Sequence, residues 1–192
     1  MLMIRTPRST SRPEPKGGGR GQLGNTYQDF ARNCLLARRL VERGVRIINI
    51  VYASWDHHSN LDNELAYNAT MADQPVAALI SDLKQRGLLD ETLVVLATEF
   101  GRTSKVKSNG GRDHHPNGFS CALAGGGIKG GQAIGVTDDK GRNPDPEYQP
   151  KDLHATIATA LGMDVEERYH PKGSGRPSFV GGRGKPIMDL LA

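Results

Sequence analysis

Several things are scarce in this chain, and each scarcity excludes a class of protein. Only 2 cysteines occur in 192 residues, so there is no disulfide framework. Cys34 falls in a helical stripe and Cys121 in an apolar stretch, with no C-x-x-C pair; both read as reduced core thiols. No apolar run approaches the ~18 residues of a membrane span, which excludes a membrane-spanning helix. Residues 1–24 carry charge but no apolar core segment, so they are not a secretory signal. Aromatic residues make up 5% and do not interleave with the basic ones, and no recognition motif is present. Nucleic acid is therefore not an expected partner. There is also no G-x-S-x-G elbow, no H-E-x-x-H and no cysteine–histidine motif. The chain offers ligands without an evident nucleophile.

Glycine and proline are plentiful, at 24 and 11, and mean hydropathy is −0.50. Much of this polarity lies in residues 1–24 and 137–150. The net charge of +4 is concentrated at the front, where Arg5, Arg8, Arg12, Lys16 and Arg20 face only Glu14. Without apolar residues to bury, residues 1–24 read as a disordered basic arm. Residues 25–192 read as one domain, long enough for a real core.

Apolar periodicity orders that domain. Thr26-Tyr27-Gln28-Asp29 reads as a capping box opening a helix with Phe30, Cys34, Ala37 and Leu40 at 3–4 spacing, closed by Gly44. Residues 45–52 (VRIINIVY), 92–97 (TLVVLA) and 119–124 (FSCALA) read as buried strands. Between the first two, residues 63–86 form a helical stretch in which Pro75 is either a kink in one long helix or the first residue of a shorter one. Asp152 reads as the cap of a short helix ending at Gly162, and residues 187–191 as a last apolar element. The alternation of helices and strands predicts an α/β layer fold with a largely parallel sheet. Three strands are few for such a sheet, so the chain reads as part of a larger domain.

Four polar clusters stand at strand ends or helix starts: Trp55-Asp56-His57-His58, Thr98-Glu99-Phe100-Gly101-Arg102-Thr103, Gly111-Arg112-Asp113-His114-His115-Pro116 and Asp152-Leu153-His154. They hold all of the 6 histidines except His170. In extended chain Asp56 and His58 point to one side and His57 to the other, so the first two reach one cation or else form a turn cap among solvated imidazoles. Glu99 is a metal ligand, with Arg102 gripping an anionic substrate, or the two form a structural salt bridge. In Asp113-His114-His115 one imidazole is a ligand oriented by Asp113, or the segment is a turn with incidental histidines. His154 is an alternate ligand or a surface residue of its helix. Gly125-Gly126-Gly127-Ile128-Lys129-Gly130-Gly131 lacks the G-K-[ST] ending of a phosphate loop and leads into no helix, so it reads as a turn.

Taken together, SWDHHSN (54–60), LKQRGLLDETLVV (83–95), TEFGRT (98–103), GRDHHP (111–116), AGGGIKGG (124–131) and DLHATI (152–157), with NCLLARRLVERGVR (33–46), resemble the C-terminal half of DUF1501 proteins, over residues 22–161. That family is placed in the alkaline phosphatase/sulfatase clan. The resemblance implies a three-layer α/β/α sandwich with a divalent metal site at the strand ends, holding zinc, calcium or manganese. Asp56 and His58 match the clan's Asp and following His, Glu99 the carboxylate after a later strand, and His114 the late histidine. Asp113, His115 and His154 are second-shell or alternate candidates, and Arg102 a contact for the substrate anion. The chain departs from the clan in Phe100, which stands where a ligand is usual, and in its shorter Asp-x-His spacing. Family members normally carry an export signal and an N-terminal half with the nucleophile, where this chain has its basic arm. The resemblance thus implies an incomplete hydrolase of phosphate or sulfate esters, partnered by a separately encoded N-terminal half. The alternative is a non-catalytic domain that keeps the fold without the chemistry.

Overall fold

The computed structural model describes residues 2–5, 23–53, 55–173 and 177–192, with side chains from residue 28 onward. It is a mixed α/β protein whose contacts fall into two units, Met1–Arg86 with Thr103–His114, and Gly87–Arg102 with His115–Ala192.

In the first unit, helix α1 (Leu23–Val41) buries Phe30, Cys34 and Ala37, residues that recur every three or four positions on one face. It begins earlier than the capping-box reading placed it. It ends in a Schellman motif: the Val45 N–H reaches the Leu40 carbonyl (3.0 Å), the Gly44 N–H reaches that of Val41 (2.9 Å), and Gly44 takes φ 77°. Strands β1 (Leu2–Arg5) and β2 (Ile48–Val51) pair in parallel, with Leu2 opposite Ile48 and Arg5 opposite Val51. Four residues of the expected basic arm are thus strand, and residues 6–22 lie outside the described residues.

Helix α2 (Leu61–Gln85) runs unbroken through Pro75, which settles the choice in favour of one long helix. Proline cannot donate to the Met71 carbonyl one turn back. Burial of Pro75 and Met71 on the same stripe, with Asn68 and Leu83, offsets that missing bond with packing. Arg38 of α1 holds Asp82 and Glu42, each at 2.7 Å, while Arg86 bonds Asp82 at 2.7 Å and Glu42 at 3.2 Å. This ring of two guanidiniums and two carboxylates ties α1 to α2.

In the second unit, β3 (Leu93–Leu96) is followed by β4 (Gly101–Arg102), β5 (His114–His115, which straddles the unit boundary) and β6 (Ala122–Gly125). The expected third strand, 119–124, is shifted to β6, and β6 runs antiparallel to β3, with Leu93 opposite Gly125 and Leu96 opposite Ala122. Parallel alignment was expected there. Strands β7 (Val136–Thr137) and β8 (Pro144–Asp145) also pair antiparallel. Helix α3 (Pro150–Ala160) starts with Pro150 at its first position and Gln149 as N-cap, so Asp152 is a first-turn residue rather than the cap. Strands β9 (Arg168–Tyr169) and β10 (Ser178–Phe179) form a last antiparallel pair. The expected apolar element at 187–191 is a 3₁₀ turn, Met188–Leu190. Cys34 and Cys121 are free thiols, as read from their placement. Among the described residues no helix is long and apolar enough to cross a membrane.

Candidate metal centre

The first unit carries two ligand arms. One follows β2, where Asp56 and His58 share the open side of the chain and His57 turns inward to 3% exposure. Asn60 then adopts a left-handed conformation (φ 48°) and opens α2. The other arm is Thr103–His114, laid along the first by backbone bonds. Asn60 N–H donates to the Asn109 carbonyl (3.1 Å), Leu61 N–H to Gly110 (2.9 Å) and Arg112 N–H to His57 (3.1 Å). Gly111 lies against the His58 carbonyl, where any Cβ would collide. Within the second arm Thr103 N–H bonds the Asp113 carbonyl (3.0 Å) and Arg112 Nη1 the Thr103 carbonyl (3.0 Å). His114 follows directly.

These arms bring Asp56, His58 and His114 together. His58 Nε2 is 3.1 Å from His114 Nε2 and 3.1 Å from Asp56 Oδ1, and His114 Nε2 is 2.9 Å from that same oxygen. Hydrogen bonds or a shared cation are two ways to satisfy this triangle. If both Nε2 atoms carry protons, both donate to the one Asp56 oxygen. If one carries a proton, it serves a single edge and leaves a bare imidazole nitrogen against carboxylate lone pairs. A small cation over the triangle would take all three atoms as ligands at once. Ligand bonds of about 2.0–2.1 Å in tetrahedral geometry put ligand atoms about 3.3 Å apart, close to the spacing here. The side chains are 61%, 44% and 45% exposed for Asp56, His58 and His114, so the site opens to solvent and leaves room for further ligands.

Asp113 stands behind His58. Its Oδ1 lies 3.4 Å from His58 Nδ1 and 2.9 Å from Lys107 Nζ. A proton on Nδ1 facing Asp113 leaves Nε2 as a lone-pair donor toward the triangle, the carboxylate–histidine arrangement of metal sites. The hydrogen bond from Lys107 and its charge hold the Asp113 carboxyl below the usual carboxylate range. Asp113 was expected to orient an imidazole of its own segment, His114 or His115; its carboxylate instead faces His58.

Beneath the site, Tyr52 OH donates to Asn68 Oδ1 (2.9 Å), and Asn68 Nδ2 donates to His57 Nε2 (2.9 Å). The Tyr52 ring lies tilted against Phe30 (5.3 Å) and meets Trp55 edge-on (5.8 Å). Burial, followed by the neighbouring Tyr67, pushes the Tyr52 phenol up to about 12. Sequence reasoning missed Lys107, Asn68 and Tyr52. Asn68 had a signal: it is a polar residue on the buried Met71–Pro75 stripe of α2.

The remaining candidates belong to the second unit. Glu99 is exposed in the bend after β3, and the Arg102 guanidinium lies over the Phe100 ring at 5.8 Å. His115 Nε2 donates to the Arg142 carbonyl at 2.9 Å. His154 is exposed on α3. The glycine-rich turn is structural: Gly126 N–H bonds the Thr92 carbonyl (3.2 Å), Gly125 fits against the Leu89 and Thr92 carbonyls, and the Gly127 carbonyl receives Ala192 N–H (3.1 Å).

A family model described as "Protein of unknown function (DUF1501)" matches residues 8–191, including the tail beyond the blocks that carry the sequence resemblance. No curated protein and no solved structure matches the chain.

Proposed function

The chain belongs to the DUF1501 family, and on that premise we propose that it binds a divalent cation through Asp56, His58 and His114 as the metal-binding part of a phosphatase/sulfatase-like hydrolase. The observation that carries this reading is the triangle of three ligand atoms at 2.9–3.1 Å, with Asp113 bracing His58. Two imidazoles and one carboxylate suit zinc or manganese better than calcium, which prefers six to eight oxygens. Of the resembled ligand set, these three rest on geometry, whereas Glu99 and Arg102 rest on the sequence alone. So does the three-layer α/β/α sandwich.

When bound, the cation polarises an ester oxygen and offsets charge on a phosphoryl or sulfuryl group. The chain's own residues hold and orient it: Asp56 supplies the negative charge, His114 the second imidazole, and His58 a nitrogen fixed from behind. The lack of a nucleophile motif favours a second reading, a domain that keeps cation and fold without catalysis. Cation content after dialysis, with hydrolysis of an aryl phosphate and an aryl sulfate, decides between them. We expect zinc or manganese to be held weakly and lost in Asp56→Ala, with little ester turnover. No uptake overturns the cation site; efficient metal-dependent turnover that Asp56→Ala abolishes overturns the non-catalytic reading.

A further inference from the structure

We propose that His57, which lies between two ligands without being one, is the positioning residue of this metal centre, acting through Asn68 and Tyr52. The proposal rests on the cation reading above. His57 is the point where both ligand arms are fastened. Its side chain is 3% exposed and is held on α2 by the bond from Asn68 Nδ2 at 2.9 Å. Its carbonyl receives Arg112 N–H at 3.1 Å, two residues before His114. One residue thus sets the height of Asp56 and His58 on one side and of His114 on the other. The Tyr52 hydroxyl, donating to Asn68 Oδ1 at 2.9 Å, fixes which end of the amide faces His57. With Nδ2 turned to the ring, His57 Nε2 is the acceptor. The imidazole is locked in one orientation, and the ligand segment cannot roll about its own axis. A cation needs its donors within a few tenths of an ångström, so freeing that roll loosens every ligand together.

The test measures zinc affinity by competition with a chromophoric chelator, and the visible bands of the cobalt-loaded chain, which report coordination geometry. His57→Leu, which fills the space but accepts no hydrogen bond, is expected to bind zinc about 10–100-fold more weakly, the usual cost of losing a supporting partner, and to alter the cobalt bands. His57→Gln keeps an acceptor and is expected to restore most of the affinity. Tyr52→Phe removes one hydroxyl and decides the matter if His57→Leu fails to fold; a smaller loss of the same sign is expected. A lower melting temperature with wild-type zinc affinity and unchanged cobalt bands in these variants overturns the positioning role. A wild-type chain that takes up neither metal overturns the cation reading and this proposal with it.

Discussion

Three aspartates stand two residues ahead of a histidine, Asp56 before His58, Asp113 before His115 and Asp152 before His154, and the backbone gives the first and last of these pairs different tasks. In the extended chain after β2 the pair faces one way and converges on His114. In the first turns of α3 the same spacing turns the side chains apart, and His154 is left exposed. Asp152 instead accepts Gln149 N–H (2.9 Å) and Lys185 N–H (2.8 Å), which hold its carboxyl below the usual carboxylate range. A depressed folded value stabilises the fold above the unfolded group's pKa, and that gain is lost as pH falls through the folded one. Asp152→Asn is therefore expected to melt below the wild type near neutral pH, the gap closing on acidification; thermal scans across pH check this. At Asp113 the expectation concerns affinity. Asp113→Asn removes the carboxylate that faces His58 Nδ1 and pairs with Lys107, and a loss of about 10-fold or more in zinc binding is expected by chelator competition. Asp56 and His58 were legible as a pair because alternation along extended chain is a local rule. Lys107 was not, since a long surface side chain finds its partner only once the loop is folded.

Helix ends were the most readable elements. Gly44, Gly87 and Gly162 all take left-handed conformations, with φ of 77°, 69° and 74°, where helices were expected to stop. Termination is decided within a few residues. Strand pairing is decided by distant segments, and the antiparallel partnership of β3 with β6 could not be read from two short apolar runs. What fastens the tail was equally hidden. Thr156 is fully buried, donates to the Asp152 carbonyl (2.7 Å) and accepts Ile187 N–H (2.8 Å), joining the C-terminal segment to α3. Thr156→Val keeps the shape and leaves that N–H unpaired, at a cost of about 1–3 kcal/mol. Urea unfolding is the measurement, and an unchanged midpoint would show the joint to be dispensable.

For the molecule as a whole, apolar strands lie open. Among the described residues β3 pairs with β6 alone, and Val95 and Leu96 are 38% and 55% exposed. An uncharged apolar edge recruits another chain. Concentration-dependent association in sedimentation velocity is expected, reduced by Leu96→Lys. A monodisperse wild-type monomer with a cooperative thermal transition would show the strands to be self-sufficient. The path of the chain carries a different consequence. It passes between the two units at 86–87, 102–103 and 114–115, so Asp56 and His58 are made well before the stretch that delivers His114. On the ribosome the ligand set stays incomplete until the second arm has emerged, and a nascent chain stopped at Arg86 holds two of the three donors. No single gene breakpoint separates the units: a break at 86–87 or 102–103 parts Asp56 and His58 from His114, whereas one at 114–115 keeps the three together and divides the second unit.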